Sequence, residues 1–362
     1  MLQHSFDKMR YLCLVKQVDY IIVGLGIAGI SFCERLQEAG KSFVVIDGPQ
    51  PAATTVAGGV VNPVVLKRFT PIWNLPQFFA EAFPFYNKMV ERLGVNFLQA
   101  VSLLRVLNSV EEQNDWLVAS DKLSLSSFLS AEVFKNSNPN VHAPFGYGSV
   151  NEVFQINTPL LLDAYGEDLL QKEQLLSEAF EYDELQLDAE TGIEYKNYRA
   201  SKIVFAEGSG AIHNPLFNIE CLIPKKGEYI VFKSVELNLD AILKGPIFII
   251  PLGNDLYKAG ATFDHHGKSP EITDTGKLQL ETAVRKLIHC PFEVVDQMAG
   301  MRPTVKDRRP LLGALEHPNV LFYNGLGTRG LGMAPLLSQQ LYDYAENNTP
   351  LPSEVNITRF QK

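Results

Sequence analysis

The run Asp19-Tyr20-Ile21-Ile22-Val23, followed at once by Gly24-Leu25-Gly26-Ile27-Ala28-Gly29, constrains this chain more than any other feature. Apolar, β-branched residues without polar alternation are the pattern of a strand buried on both faces of a parallel sheet. The glycines then call for a tight turn. Apolar positions continue at helical spacing through Phe32, Leu36 and Ala39 until Gly40 stops the helix. A second strand, Phe43-Val44-Val45-Ile46, ends in Asp47. Strand, turn, helix and strand make a βαβ unit, and an acid about 20 residues past the glycines completes a dinucleotide-binding fingerprint. Gly24 permits the turn, Gly26 opens the backbone N–H groups around Ile27 and Ala28 to a pyrophosphate, and Gly29 lets the helix pack on the strand. Asp47 is expected to accept ribose hydroxyls. The fingerprint alone does not separate NAD from FAD.

Bulk properties narrow the class. A chain of 362 residues, 46% hydrophobic and 20% charged, can bury a large core, and about two domains are expected. The net charge of -9 argues against a nucleic-acid partner, which relies on clustered Lys and Arg. The short basic clusters Lys225-Lys226 and Lys306 to Arg309 read as solvated surface. Cys13, Cys33, Cys221 and Cys290 are far apart and no His stands at ligand spacing, so reduced thiols and no metal site are expected. No apolar run reaches the roughly 18 residues that span a bilayer. The segment Met1 to Val18 lacks a signal-peptide apolar run and reads as a frayed extension, so a cytoplasmic location is expected.

Beyond Asp47, the stretch Thr54-Thr55-Val56-Ala57-Gly58-Gly59-Val60-Val61-Asn62-Pro63 resembles the loop that in D-amino-acid oxidases passes over the flavin pyrophosphate and ring. Gly58-Gly59 supplies the bare backbone that such an approach requires. Further blocks follow in the order that family uses. Ser201 to Gly208 is similar to its late strand, with Ala206 and Gly208 near the cofactor and an unusual Glu207 where a small residue is commoner. Ile247 to Pro251 and Leu256 to Thr262 resemble its substrate-domain hairpin with a Gly-Ala-Thr signature. Ala299 to Thr304 then leads to the glycine-rich run Asn324 to Pro335.

From Asp19 to Tyr344 the chain is therefore similar to the FAD-dependent oxidoreductases of the D-amino-acid oxidase, glycine oxidase and sarcosine oxidase family. The resemblance implies FAD, contacted by the fingerprint residues, by Thr55, Ala57, Gly58, Gly59 and Val60, by Ala206 and Gly208, and by Gly325, Gly327, Thr328, Gly330, Leu331 and Gly332. It implies an α/β (α+β overall) fold with a Rossmann-like FAD-binding domain, discontinuous over 1–72, 151–220 and 296–362. A substrate domain of mostly antiparallel sheet is expected over 73–150 and 221–295. It should hold a helical segment from Phe78 to Leu93 and strands at Gly227 to Lys233 and Ile247 to Ile250. The last helix is expected to start near Met333 with Pro335 in its first turn, its positive end toward the flavin pyrimidine edge.

The family's oxidases move a substrate hydrogen as hydride to flavin N5, so orientation matters more than a strong base. Arg302 matches the arginine that holds the substrate carboxylate by a bidentate pair; the bland alternative is a salt bridge to Asp307. The position of the FAD-linking cysteine of monomeric sarcosine oxidases falls on Gly300, and that of their carboxylate-binding lysine on Gly332. Non-covalent FAD and reliance on Arg302 follow. Lys258 matches the lysine that promotes oxygen reduction, with a solvent-reaching strand lysine as the alternative. Arg329 stands beside the flavin or faces solvent. Phe248 replaces a substrate-binding tyrosine, Tyr229 and Tyr257 offer hydroxyls or mere packing, and His265 and His266 read as surface residues.

The implied function is oxidation of a C–N bond of a small amino acid or secondary amine, with oxygen as electron acceptor. Two other readings stand beside it. One is oxidation of a carboxymethylaminomethyl-modified tRNA wobble uridine, favoured by likeness over Gly325 to Leu337 but not by the acidic charge or the lack of a methyltransferase segment. The other is a flavoprotein that hands electrons to a quinone or ferredoxin.

Overall fold

The apolar run before the glycines becomes strand Lys16–Val23, in which Ile21 and Ile22 are fully buried. It pairs in parallel with Phe43–Ile46 on one side and with Tyr198–Phe205 on the other. Partners on both edges and packing on both faces explain why it carries no polar alternation. The computed structural model describes residues 15–49, 52–188, 192–217, 220–267 and 269–361. Cys13, and the rest of the expected frayed extension up to residue 14, lie outside them. Leu175–Leu176 and Val320–Asn324 extend the parallel sheet on either side. An antiparallel hairpin, Leu185–Asp188 with Gly192–Tyr195, and the strand Leu311–Ala314 complete it.

A second sheet of eight strands takes up the middle of the chain. Its order is Glu293–Arg302, Lys225–Lys233, Leu256–Gly260, Phe248–Gly253, Ile242–Lys244, Leu103–Val106, Tyr147–Val150 and Leu129–Phe134. Every pairing is antiparallel except that of Ile242–Lys244 with Leu103–Val106. Glu293–Arg302 follows Lys225–Lys233 along its whole length, which carries Arg302 on this sheet and not on the parallel one. The fold is mixed α/β, with one mainly parallel and one mainly antiparallel sheet. Cys33, Cys221 and Cys290 are buried free thiols. No helix among the described residues is long and apolar enough to cross a membrane.

Two helices join residues far apart in sequence. Ile27–Glu38 packs on Gly330–Asn347, where Arg35 donates to the Pro335 carbonyl at 3.1 Å. That last helix begins at Gly330, ahead of the expected Met333, so Pro335 lies inside it and not in its first turn. A proline has no N–H for the carbonyl four residues back. The orphaned Leu331 carbonyl is satisfied from another helix, Leu75–Leu93, whose Tyr86 hydroxyl donates to it at 2.7 Å. Tyr86 is fully buried, so no water can substitute easily. Tyr86→Phe should therefore lower unfolding stability by about 1–3 kcal/mol in urea titration, the cost of a buried acceptor left bare. An unchanged midpoint would show that the carbonyl finds another donor.

Candidate active site

The glycine turn is forced by contact. A Cβ on Gly29 would lie 2.0 Å from the Gly24 carbonyl oxygen, and one on Gly24 would lie 2.6 Å from that of Ala206. Gly24 also has φ of 100°, a region that glycine alone enters easily. The turn is then tied at two points. The Leu25 N–H donates to Asp47 Oδ1 at 2.9 Å, and the Ile27 N–H donates to Thr54 Oγ1 at 3.1 Å. Burial raises the Asp47 carboxyl above the ordinary aspartate value, and the bond from Leu25 works against that rise. Gly26, the N-cap, brings no side-chain cap, so the helix offers first-turn N–H groups and its positive end to an anion. A dinucleotide diphosphate fits this donor set.

One cavity of about 1000 Å³ runs from this turn to the antiparallel sheet. Gly24, Gly26, Ile27, Ala28 and Asp47 line it, as do Ala57, Gly58, Gly59, Val60, Ala206 and Gly208. Gly327, Thr328, Gly330, Leu331 and Gly332 line its far wall. Three expected contacts lie off it. Gly29 is spent on helix packing, Gly325 turns the chain against Val305, and Thr55 is exposed. Its buried neighbour Thr54 faces the cavity instead. Glu207 also lines the wall, held by the Tyr182 hydroxyl and by Asn214 Nδ2 at 2.8 Å, and burial pushes its carboxyl up. Tyr182 opens the short 3-10 helix Tyr182–Glu184, which no sequence pattern marks.

At the other end the antiparallel sheet presents cations. Arg302 lies across Gly227, donates to the carbonyls of Lys226 and Thr262 at 3.2 Å each, and has its guanidinium 5.4 Å from the Phe263 ring centre. The bland alternative for it fails, because Asp307 pairs with Arg359 at 2.9 Å. Two of the five guanidinium N–H groups are used, which leaves donors for a planar acid. Arg329 lines the cavity beside the Asn62 carbonyl, and burial lowers its pKa. Lys244, which the sequence reading passed over, lines the cavity as well.

Lys258 is placed otherwise. It is 7% exposed, its ammonium donates to the Ala57 carbonyl at 3.0 Å and sits 4.9 Å from the Tyr229 ring centre. Its ammonium thus lies directly behind the cavity wall, against the lining residues Ala57 and Tyr229. Burial pushes it down to about 8. Tyr229 and Phe248 line the cavity, whereas the Tyr257 hydroxyl accepts from the Leu239 N–H and its ring stacks on Phe232. His265 and His266 are exposed. Gly300 carries no side chain to link a cofactor, and a Cβ there would come within 2.4 Å of Val56 Cγ2.

Charge is divided along the cavity. The carboxylates on its wall, Asp47 and Glu207, stand at the glycine-turn end, while Arg302, Arg329 and Lys244 face it from elsewhere. Such a field favours hydroxyl groups beside the two acids and a substrate anion beside the cations.

A parallel nucleotide-binding sheet, an antiparallel sheet and one cavity between them define a two-sheet dinucleotide-dependent enzyme. The chain belongs to the FAD dependent oxidoreductase family, whose sequence model matches residues 19–344. It is an FAD-dependent oxidoreductase. It is 23% identical to the uncharacterized oxidoreductase YurR of Bacillus subtilis, over 89% of this chain and 93% of that protein. It is 22% identical to the tRNA 5-methylaminomethyl-2-thiouridine biosynthesis bifunctional protein MnmC of Marinobacter nauticus, over 89% of this chain but only 54% of that protein. In fold it is similar to glycine oxidase from Geobacillus kaustophilus, with a TM-score of 0.74 at 17% identity, covering 93% of this chain and 97% of the other.

Two outcomes follow from this geometry. Asp47→Ala should weaken FAD binding roughly ten- to a hundred-fold in titration of apoprotein, the cost of losing hydrogen bonds to a charged acceptor. Unchanged affinity would place the ribose acceptor elsewhere. For Lys258, a native pKa of about 8 against the usual 10.5 means the unfolded chain holds more protons between those values. Stability should rise with pH across that window, and the burial cost is fully present below it. Lys258→Met should melt higher than wild type at pH 7, with the difference shrinking toward pH 10. A variant that melts lower at pH 7 contradicts the placement.

Proposed function

We propose that this protein oxidises a C–N bond of a small amino acid or secondary amine that carries a carboxylate, and passes the electrons to oxygen. The observation that carries this reading is Arg302, a cavity-lining guanidinium anchored on two backbone carbonyls. No carboxylate among the described residues forms an ion pair with it. A substrate carboxylate is the missing partner, and a bidentate pair would fix the direction in which the reacting C–H bond points.

Bound FAD supplies the acceptor for that hydrogen and its electron pair. The chain supplies orientation and charge. Tyr229, Phe248 and Ile250 form an apolar wall that keeps water from the reacting bond. Arg329 and the N-terminus of helix Gly330–Asn347 put positive charge on the opposite wall, which favours an electron-rich cofactor. The cavity carboxylates stand at the glycine-turn end, so neither is offered to the substrate as a base. The substrate amine must therefore arrive uncharged or lose its proton to water. Retention of FAD without a covalent link is supported by the crowded Gly300. Oxygen as acceptor is supported by the oxidase fold likeness and by the Lys258 ammonium held directly behind the cavity wall.

Removing one partner of a buried charge pair costs about 2–5 kcal/mol, so Arg302→Ala should lower kcat/KM for an amino acid by roughly 30- to 5,000-fold. Arg302→Lys should recover only part, because an ammonium keeps the charge and loses the fork. An uncharged amine is the control. A loss as large for that amine as for the amino acid would mean that Arg302 holds the fold or the cofactor.

A further inference from the structure

We infer that the cavity takes substrates with two acidic groups, one on Arg302 and the second on Lys244. The inference rests on the reading of Arg302 as carboxylate holder and names the substrate class more narrowly. It begins with strand register. Lys244 pairs with Phe248, Phe248 with Gly260, Gly260 with Tyr229 and Tyr229 with Met298. Directly paired residues project from the same face of a sheet, and Arg302 follows Met298 at an even spacing. Lys244 and Arg302 thus stand on one face, above one cavity that both line.

They also lean toward each other. The Arg302 guanidinium lies over Gly227 on the next strand, and the Lys244 ammonium lies 4.7 Å from the Phe248 ring centre on its own neighbour. Two strand spacings and two residues separate Gly227 from Phe248, so their Cα atoms are roughly 12 Å apart. One carboxylate does not bridge groups seated over positions so far apart, whereas an amino diacid with a few carbons between its acid groups places one acid at each end.

Among the described residues Lys244 forms no ion pair with an acid. Its ammonium donates to the Pro246 carbonyl at 3.2 Å, and the neighbouring charge is another cation, Arg105, already paired with Glu112 at 2.6 Å. Burial and Arg105 push Lys244 down to about 8, the direction expected of an ammonium held in a half-buried site without a counter-ion. A second carboxylate or phosphonate on the ligand would supply that counter-ion.

The test is anaerobic titration of the FAD-loaded protein with amine-free diacids from succinate to suberate, their monoamides and the matching phosphono acids, read by perturbation of the flavin spectrum. Because these ligands cannot be oxidised, the readout is independent of turnover. Wild type should bind a diacid of intermediate length at least tenfold tighter than its monoamide. Lys244→Met should remove that preference, Lys244→Arg should restore most of it, and Arg302→Ala should weaken diacid and monoamide alike. The carboxylate and phosphonate arms show which acid the site prefers. An equal preference in wild type and Lys244→Met overturns the inference. Diacid binding that depends on Lys244, in a protein that no amine reduces, would uphold this site while sinking C–N oxidation.

Discussion

The contact between Gly29 and the Gly24 carbonyl is the constraint on which the rest depends. It brings the helix Ile27–Glu38 onto the first strand so closely that no side chain fits between them. The helix N-terminus then points past the strand ends into the cavity, where Asp47 and Thr54 fasten the turn. From the other end of the same helix region Arg35 reaches Pro335, so the glycine-rich C-terminal segment is aligned against the cavity by the same element. One close approach thus positions both the donor set for an anion and the far wall that carries Arg329.

Function depends on what the second sheet adds. The parallel sheet provides acids for hydroxyl groups, and the antiparallel sheet provides Arg302 and Lys244, which form no ion pair among the described residues. Arg302 is held by two carbonyls, a grip that fixes its direction while leaving donors and charge unspent. A half-buried cation without a counter-ion carries a desolvation cost that a ligand can offset. Placing such groups where a substrate enters converts that cost into selectivity for anions.

Much of this was legible in the chain because the relevant signals are local. A continuous apolar run, three spaced glycines and an acid at strand end determine one βαβ unit whatever surrounds them, and Lys16–Val23, Ile27–Glu38 and Phe43–Ile46 bear that out. The residues misplaced from sequence depend on distant partners. Pro335 sits inside its helix because Tyr86, 245 positions from Leu331, takes up the Leu331 carbonyl that the proline orphans. Thr54 and not Thr55 faces the cavity because the Ile27 N–H selects it across 27 positions. Lys244 is brought to the cavity by a strand order that no local pattern encodes.

The central claim is that an FAD-dependent enzyme here breaks a C–H bond next to nitrogen in a molecule held by its carboxylate. Anaerobic mixing of the purified yellow protein with matched pairs of amino and hydroxy acids tests it most directly, with the flavin absorbance as readout. The account predicts bleaching by at least one amino acid or N-substituted amino acid and none by its hydroxy counterpart. Bleaching by hydroxy acids alone, or a flavin that no amine in such a panel reduces, would contradict it.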